Sequence, residues 1–247
     1  MTTWDWQVFC KDTISGEVAQ GCFGQGGDIT YLQWMLSAWG WTLSVAGLAL
    51  ILAFVVGSFV GVLRTLPNKW ARTIGDAWTE LFRNLPLLVQ IFIWYHVIPS
   101  FIAPLKDVSS FILVVVALGF FTSARISEQV KAGIQSIPKG QRYAGLAMGL
   151  SLAQTYRYVL LPVAFRIVLP PLTSESMNII KNSAVAFAVS VAELTMFAMQ
   201  AQEETSRGVE IYLMVTLLYF ISAFSVNRVA SLIETKLRVP GMAGAKQ

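Results

Sequence analysis

Apolar residues run in long blocks along this chain, and the polar positions gather in the gaps between them. No charge falls between Asp28 and Arg64, and Leu36 to Leu63 is almost continuously apolar. At about 1.5 Å per helical residue that block outreaches a hydrocarbon core of about 30 Å. Trp34, Trp39 and Trp41 cluster at its start, where interfacial anchors collect. Further blocks predict a second span over about 84–103, a third from about 109 into the 130s, a fourth over about 176–199 and a fifth over about 211–233. Lys181 and Glu193 interrupt the fourth. The expected fold is all-α and integral to a membrane, with five transmembrane helices.

A different period separates the first two spans. Trp70, Ile74, Ala77, Trp78 and Leu81 recur three or four residues apart, while Arg72, Asp76 and Glu80 face elsewhere. This predicts an amphipathic elbow lying in the interface, the plainer alternative being a short soluble connector. Asn68, just after Pro67, is its expected N-cap. Between the third and fourth spans, Gln141–Met148 favours helix, and Gly149 can supply the left-handed residue that ends it. Ser151 with Gln154 forms a capping-box pattern for a second helix reaching Leu161, which Pro162 is expected to break or kink. Together they predict a compact helix-turn-helix over about 139–165. Ala144, Gly145 and Ala147 keep its first helix thin enough for another protein's groove.

Composition agrees with a membrane protein: 55% of the 247 residues are hydrophobic and only 13% charged, where a soluble domain carries about twice that charge. The net charge of +4 is dispersed rather than clustered, which argues against nucleic-acid binding. Charge also orients the chain. With the N-terminus outside, the inner segments hold Arg64, Lys69, Arg72, Lys131, Lys139, Arg142, Arg157, Arg166, Lys236, Arg238 and Lys246, against Lys11, Lys106 and Arg207 outside. That is a strong positive-inside bias. It predicts a periplasmic N-terminal segment (1–34), a membrane domain (35–235) and a cytoplasmic tail (236–247). The first thirty residues have neither a basic start nor an apolar stretch, so no secretory signal is expected.

Little in the sequence points to catalysis. No Gly-x-x-x-x-Gly-Lys-Ser/Thr loop occurs, so ATP phosphates cannot be cradled by that route. His96, the single histidine, reads as a packed or interfacial residue rather than a proton relay. Cys10 and Cys22 have no histidine near them, so a metal site is not expected. A periplasmic location allows them a disulfide, with two free thiols as the alternative.

Ionisable groups within spans are costly and usually face a cavity or a partner. Arg83, Lys181 and Arg228 lie close enough to span ends to snorkel. Arg125 lies deeper. It has two readings: a bidentate contact to the carboxylate of an acidic substrate, or an intrahelical pair with Glu128. Glu193 is either an acceptor for a substrate ammonium group, with Asn182 and Ser183 along the path, or a residue at the outer boundary. Asn84 and Gln90 are further pore-lining candidates.

The cytoplasmic helix-turn-helix is similar to the EAA motif of ABC importer permeases. Ala144, Gly149, Val159, Leu161 and Pro162 fall on that pattern, while Tyr143 stands at its acidic position and Gly145 at its second Ala. Glu80-Leu-Phe-Arg-Asn-Leu-Pro-Leu-Leu-Val-Gln90 and Gly133-Ile-Gln-Ser-Ile-Pro-Lys-Gly-Gln141 resemble segments of the polar amino-acid permeases, those of glutamate/aspartate systems above all. The resemblance implies a bacterial inner-membrane permease without catalytic site or cofactor of its own. It further implies a pair of ATPase subunits docked on the cytoplasmic loops, a second permease chain, homologous but different, and a periplasmic solute-binding protein. The competing reading is a self-sufficient ion-coupled carrier or channel, against which no inverted repeat is apparent. A membrane-embedded enzyme would need a cluster of His, Cys or carboxylates at membrane depth, and none is present in the sequence.

Overall fold

The computed structural model describes residues 4–24 and 28–237; residues 238–247, with Arg238 and Lys246 of the charge count, lie outside the described residues. Every regular element among the described residues is helical, with only two isolated β-bridges, Lys11–Val18 and Asp12–Thr30. Short 3₁₀ turns at Trp6–Cys10 and Gln20–Cys22 precede α1 (Tyr31–Leu63). There follow α2 (Lys69–Asn84), α3 (Leu87–Phe101), α4 (Ser110–Gln135), α5 (Lys139–Ala147), α6 (Leu152–Val189), α7 (Leu194–Thr205) and α8 (Gly208–Leu237).

Helices α1, α4, α6 and α8 are each long and apolar enough to cross a membrane. The pair α2 and α3, bent by 105°, makes a fifth crossing if taken as one broken span. The chain is thus a multi-pass membrane protein. The fourth crossing needs correction. It occupies Leu152–Val189 rather than 176–199, so most of the segment expected as an aqueous loop is membrane-length helix. Pro162 does not break it. A wide π turn at Tyr156–Leu160 precedes the proline, and Leu161 N–H reaches back to Tyr156 O. That wider turn absorbs the donor a proline lacks, and the helix continues through Pro170 and Pro171. Residues 194–199 belong instead to the separate helix α7, after a left-handed residue at Ser190.

The chain divides into two compact units. The first comprises residues 1–48, 87–117 and 180–223, the second 49–86, 118–179 and 224–247. In the first, Val8 and Phe9 of the N-terminal segment are buried with Tyr31 and Met35 of α1, Phe197 of α7 and Ile211 of α8. Cys10 and Cys22 are joined in a disulfide, so of the two readings of these cysteines the structure takes the bonded one. Asp5 ties the segment down: its carboxylate meets Lys11 at 3.1 Å and Arg207 at 3.7 Å, and its backbone N–H donates to Glu210 at 2.9 Å. The hydrogen bond from Lys11 holds the Asp5 carboxyl below its ordinary range.

The second unit is built on a close approach of α1 to α4. Gly57 and Gly61, four residues apart on one face of α1, lie against Ser123, Ile126, Ser127 and Val130. A Cβ on Gly57 would sit 2.7 Å from Ser123 O, and one on Gly61 3.0 Å from Ser127 O and 2.6 Å from Val130 Cβ. Small residues at this spacing let two helix backbones meet where lipid gives no hydrophobic drive for association. Gly61→Val forces the helices apart, because a backbone carbonyl cannot rotate away. The expected cost is about 1–3 kcal/mol, read as a lowered melting temperature in detergent, whereas the same change at Gly47, with open space around it, leaves that temperature within a degree or two.

Helix α2 confirms the amphipathic period and shows which face goes where. Asn68 Oδ1 accepts from the N–H groups of Trp70 and Ala71, as its N-cap position requires. The small and polar stripe of Gly75 and Thr79 is buried with Phe82, while Trp70 is 78% exposed and Ile74 and Leu81 also face outward. Trp78 packs between Phe82 and Phe120 and donates to Ser123 Oγ at 3.1 Å. A water-soluble connector would turn these faces the other way round, so the outward apolar stripe favours an interfacial elbow.

Candidate functional site

Three polar constructions stand out in the second unit. The first is a clamp around Arg64, at the end of α1. This side chain is 4% exposed. Its Nε meets Asp76 of α2 at 2.7 Å, one terminal nitrogen meets Glu128 of α4 at 2.8 Å, and the other donates to Ser127 Oγ at 3.1 Å. Lys131 adds a second cation to Asp76 at 3.3 Å, and Arg83 a second to Glu128, also at 3.3 Å. Thr79 and Ser127 hydroxyls lie 3.1 Å apart beneath the guanidinium. Gly75 makes room for it, since a Cβ there would meet Arg64 Cγ. Arg64 therefore joins three helices through one planar, permanently charged fork.

The second construction contains Arg125. Its reading as the i,i+3 partner of Glu128 does not hold, because Arg64 and Arg83 occupy that carboxylate. Arg125 lies over the Phe121 ring at 4.8 Å, and its one ion-pair partner among the described residues is Glu175 of α6, at 3.9 Å. That separation is beyond a hydrogen bond, and the Arg125 side chain stays 41% exposed. Glu175 is nearly buried and accepts from Gln129 Nε2 at 3.3 Å. Glu175 and Gln129 were not among the sequence candidates. The available signal was a lone carboxylate between Arg166 and Lys181, legible only once α6 is known to be one continuous helix.

The third construction is the hairpin of α5 and the start of α6. Gly149 has φ +86°, the left-handed value expected of it, and Leu150 N–H donates back to Gly145 O at 3.1 Å. Ser151 Oγ accepts from Gln154 N–H, and Gln154 Oε1 from Ser151 N–H, closing the capping box. Gly145 is buried, and a Cβ there would press on the Thr155 side chain at 3.1 Å. Its absence lets α5 lie directly on the first turn of α6, which accounts for a glycine at this place. The opposite surface is open: Met148 is 81% exposed, and Tyr143, Ala144 and Leu146 are exposed beside it. Val159 and Leu161 lie along α6, and Pro162 follows the π turn.

The remaining candidates are scattered. Asn84 is exposed and donates to Glu80 Oε2 at 2.8 Å. Gln90 is buried in α3, which packs against the 3₁₀ stretch Ser183–Val189. Asn182 is half-buried, and Ser183 is buried with its hydroxyl donating to Ile180 O. Glu193 departs most from expectation. It is 0% exposed, and as the N-cap of α7 its two oxygens accept from the N–H groups of Met196 and Thr195 and from the Tyr219 hydroxyl. A carboxylate so committed has no face left for a substrate ammonium. His96 is exposed between the rings of Phe92 and Tyr95. Among the described residues no group of three His, Cys, Asp or Glu is placed to hold a metal.

Four membrane-length helices, a bent pair that adds a fifth crossing if taken as one span, and an exposed helical hairpin fit a multi-pass membrane protein. Residues 53–239 match the family of inner-membrane components of binding-protein-dependent transport systems, and the chain belongs to that family. It is 42% identical to the glutamate/aspartate import permease protein GltJ of Escherichia coli (strain K12), across 98% of each chain. It is 34% identical to a probable glutamine ABC transporter permease protein, GlnM, of Bacillus subtilis (strain 168), across 79% of this chain and 89% of that one. A solved amino acid ABC transporter superposes with TM-score 0.73 at 29% identity, covering 83% of this chain and 95% of the other. The methionine ABC transporter MetNI, in inward-facing conformations, shares the fold with TM-score 0.72 at 22% identity, over 84% and 98% of the chains. Permease subunits of this family are not themselves enzymes.

Proposed function

We propose that this chain is a translocation-pathway subunit of an ATP-driven importer of acidic amino acids, glutamate or aspartate, in a bacterial inner membrane. The observation that carries the reading is the 42% identity to GltJ over 98% of both chains. An N-terminus outside and a C-terminus inside follow from the positive-inside count, and the Cys10–Cys22 disulfide suits an oxidising periplasm.

On this topology the α5–α6 hairpin lies in the cytoplasm. Its exposed Tyr143, Ala144, Leu146 and Met148 form the face that one subunit of an ATPase pair grips, and Gly145, Gly149, Val159, Leu161 and Pro162 hold that face rigid against α6. ATP acts through the partner by favouring one of two access states, which a permease chain alone cannot do. A second permease chain completes the pathway, and a periplasmic solute-binding protein delivers the substrate. The test is reconstitution of the chain with its partner subunits in proteoliposomes. ATP-dependent accumulation of labelled glutamate, competed by aspartate and not by lysine, is expected. Concentrative uptake by this chain alone without nucleotide would instead establish an ion-coupled carrier.

Arg125 is the residue proposed to read the substrate's carboxylate. Its contact to Glu175 is long, its guanidinium is half exposed, and a bidentate carboxylate would out-compete that pairing. Arg125→Gln is expected to lower glutamate uptake at limiting substrate by about tenfold to a hundredfold, a loss of about 1.5–3 kcal/mol, with ATPase binding retained. Unchanged glutamate uptake would leave Arg125 as a partner of Glu175 alone.

A further inference from the structure

Two cavities of the second unit share linings from α4 and α6, the first with α1 besides, the second with the residues after α1 and with α2 and α5. An apolar groove of about 490 Å³ is bounded by Phe54, Phe59, Val62, Val130, Phe165 and Leu172, with Ser58 its one polar lining side chain. About one turn further along, the lining becomes cationic. A second cavity of about 470 Å³ is bordered by Arg64, Arg72, Lys139 and Arg142, with no carboxylate among its lining residues. The chain itself connects the two: Val62 near the end of α1 lines the groove and Arg64 just beyond it the cavity, α4 carries Val130 and then Ile134, and α6 carries Leu161 and then Leu160 and Tyr156. Buried Val130, Ile134, Tyr156, Leu160 and Ala164 form one apolar cluster beneath both.

The charges in the cavity are unevenly satisfied. Arg64 is neutralised by Asp76 and Glu128. Arg142 is not: its Nε is buried with no hydrogen-bond partner among the described residues. Helix α5 starts at the cavity rim, and Pro138 at its N-cap supplies no side-chain acceptor for the first amides. A positive helix end, a guanidinium with an unpaired Nε and two further cations beside an apolar slot are complementary to a single kind of molecule, one with an anionic phosphate at the head and hydrocarbon behind it.

We propose that these joined cavities bind one anionic phospholipid, its phosphate against Arg72, Lys139, Arg142 and the start of α5, and an acyl chain in the groove. A free phosphate would leave the groove empty, and a neutral lipid would leave the cations unmatched. The depth agrees, since Arg64 closes the charge-free run of α1 where headgroups begin. Assignment to the cytoplasmic leaflet rests on the orientation proposed above; the binding chemistry does not. The lipid touches both arms of the α5–α6 hairpin, so its headgroup charge tunes the element proposed to receive the ATPase.

The test uses the purified full-length chain in neutral detergent and phosphatidylglycerol carrying a photoreactive diazirine in one acyl chain. Irradiation followed by peptide mapping is expected to place adducts on the segments holding Phe54, Phe59 and Phe165. Unlabelled phosphatidylglycerol should compete, whereas phosphatidylcholine and millimolar inorganic phosphate should not. The Arg72→Gln/Arg142→Gln double variant is expected to need roughly thirtyfold more probe for equal labelling, from loss of two headgroup charges. The Arg72→Lys/Arg142→Lys variant should stay within a few fold, and it controls for folding. Equal competition by phosphatidylcholine, displacement by inorganic phosphate, or labelling elsewhere on the chain would each overturn the proposal. So would labelling that disappears when partner subunits are bound, because the groove would then be a protein interface. None of these readouts depends on transport, so a failed importer assay and a failed lipid site are told apart.

Discussion

Gly149→Val is expected to reduce ATP-coupled uptake by tenfold or more while the chain still inserts and folds. At φ +86° the backbone is in a conformation that costs an L-residue about 1–2 kcal/mol, and more for a β-branched one. Among the described residues there is no compensating or opposing contact, since a Cβ on Gly149 meets nothing within 4 Å. The strain therefore re-aims α5, and with it the exposed Tyr143 and Met148, relative to α6. Gly149→Asn separates backbone from surface: asparagine tolerates the left-handed region, so it should retain most uptake if geometry is what matters. The measurement is uptake in proteoliposomes together with the amount of ATPase subunit that co-purifies. Full uptake by the valine variant would remove the hairpin from the coupling role.

Arg64→Met is expected to be strongly destabilising. It deletes a buried guanidinium and leaves Asp76 and Glu128 facing each other's surroundings with weaker partners, Lys131 and Arg83. Removing one member of a fully buried ion pair costs about 3–5 kcal/mol. Because Asp76 and Glu128 stay partly exposed, about 2–3 kcal/mol is the better expectation. A drop of roughly 5–10 °C in melting temperature follows for a chain of this size. Asp76→Asn and Glu128→Gln should each cost less than Arg64→Met, and their double variant less than their sum, because all three share one fork. A melting temperature unchanged by Arg64→Met would show that the elbow is held by Trp78 and Phe82 packing alone.

The two residues illustrate different kinds of legibility. Gly149, the Ser151–Gln154 box and the Asn68 cap were readable because each is a contract between residues no more than four apart, enforced by backbone geometry alone. The elbow was readable for the same reason, as was α1, whose apolar run admits no other use. Arg64 gave no such sign. It stood in the sequence as one more positive-inside charge, and its partners lie 12 and 64 positions away. The fourth crossing misled for a physical reason too. Pro162 is a strong local stop signal, and the π turn at Tyr156–Leu160 just before it lets α6 run past it. Glu193 looked like a charge stranded in a span because the break that makes it a cap lies in the Ser190 turn.

Hydropathy by itself determined the membrane class and the crossings at α1, α4 and α8, because crossing a bilayer is a demand each segment meets alone. The tertiary structure decided the pairings: Arg64 with Asp76 and Glu128, Arg125 with Glu175, Cys10 with Cys22, and cations with an apolar slot at the root of the hairpin. Those depend on how closely helices approach, which Gly57 and Gly61 set through contacts with residues more than sixty positions along the chain. A helix reports its own period in its sequence; the identity of what lies across from it is fixed only when the backbones meet.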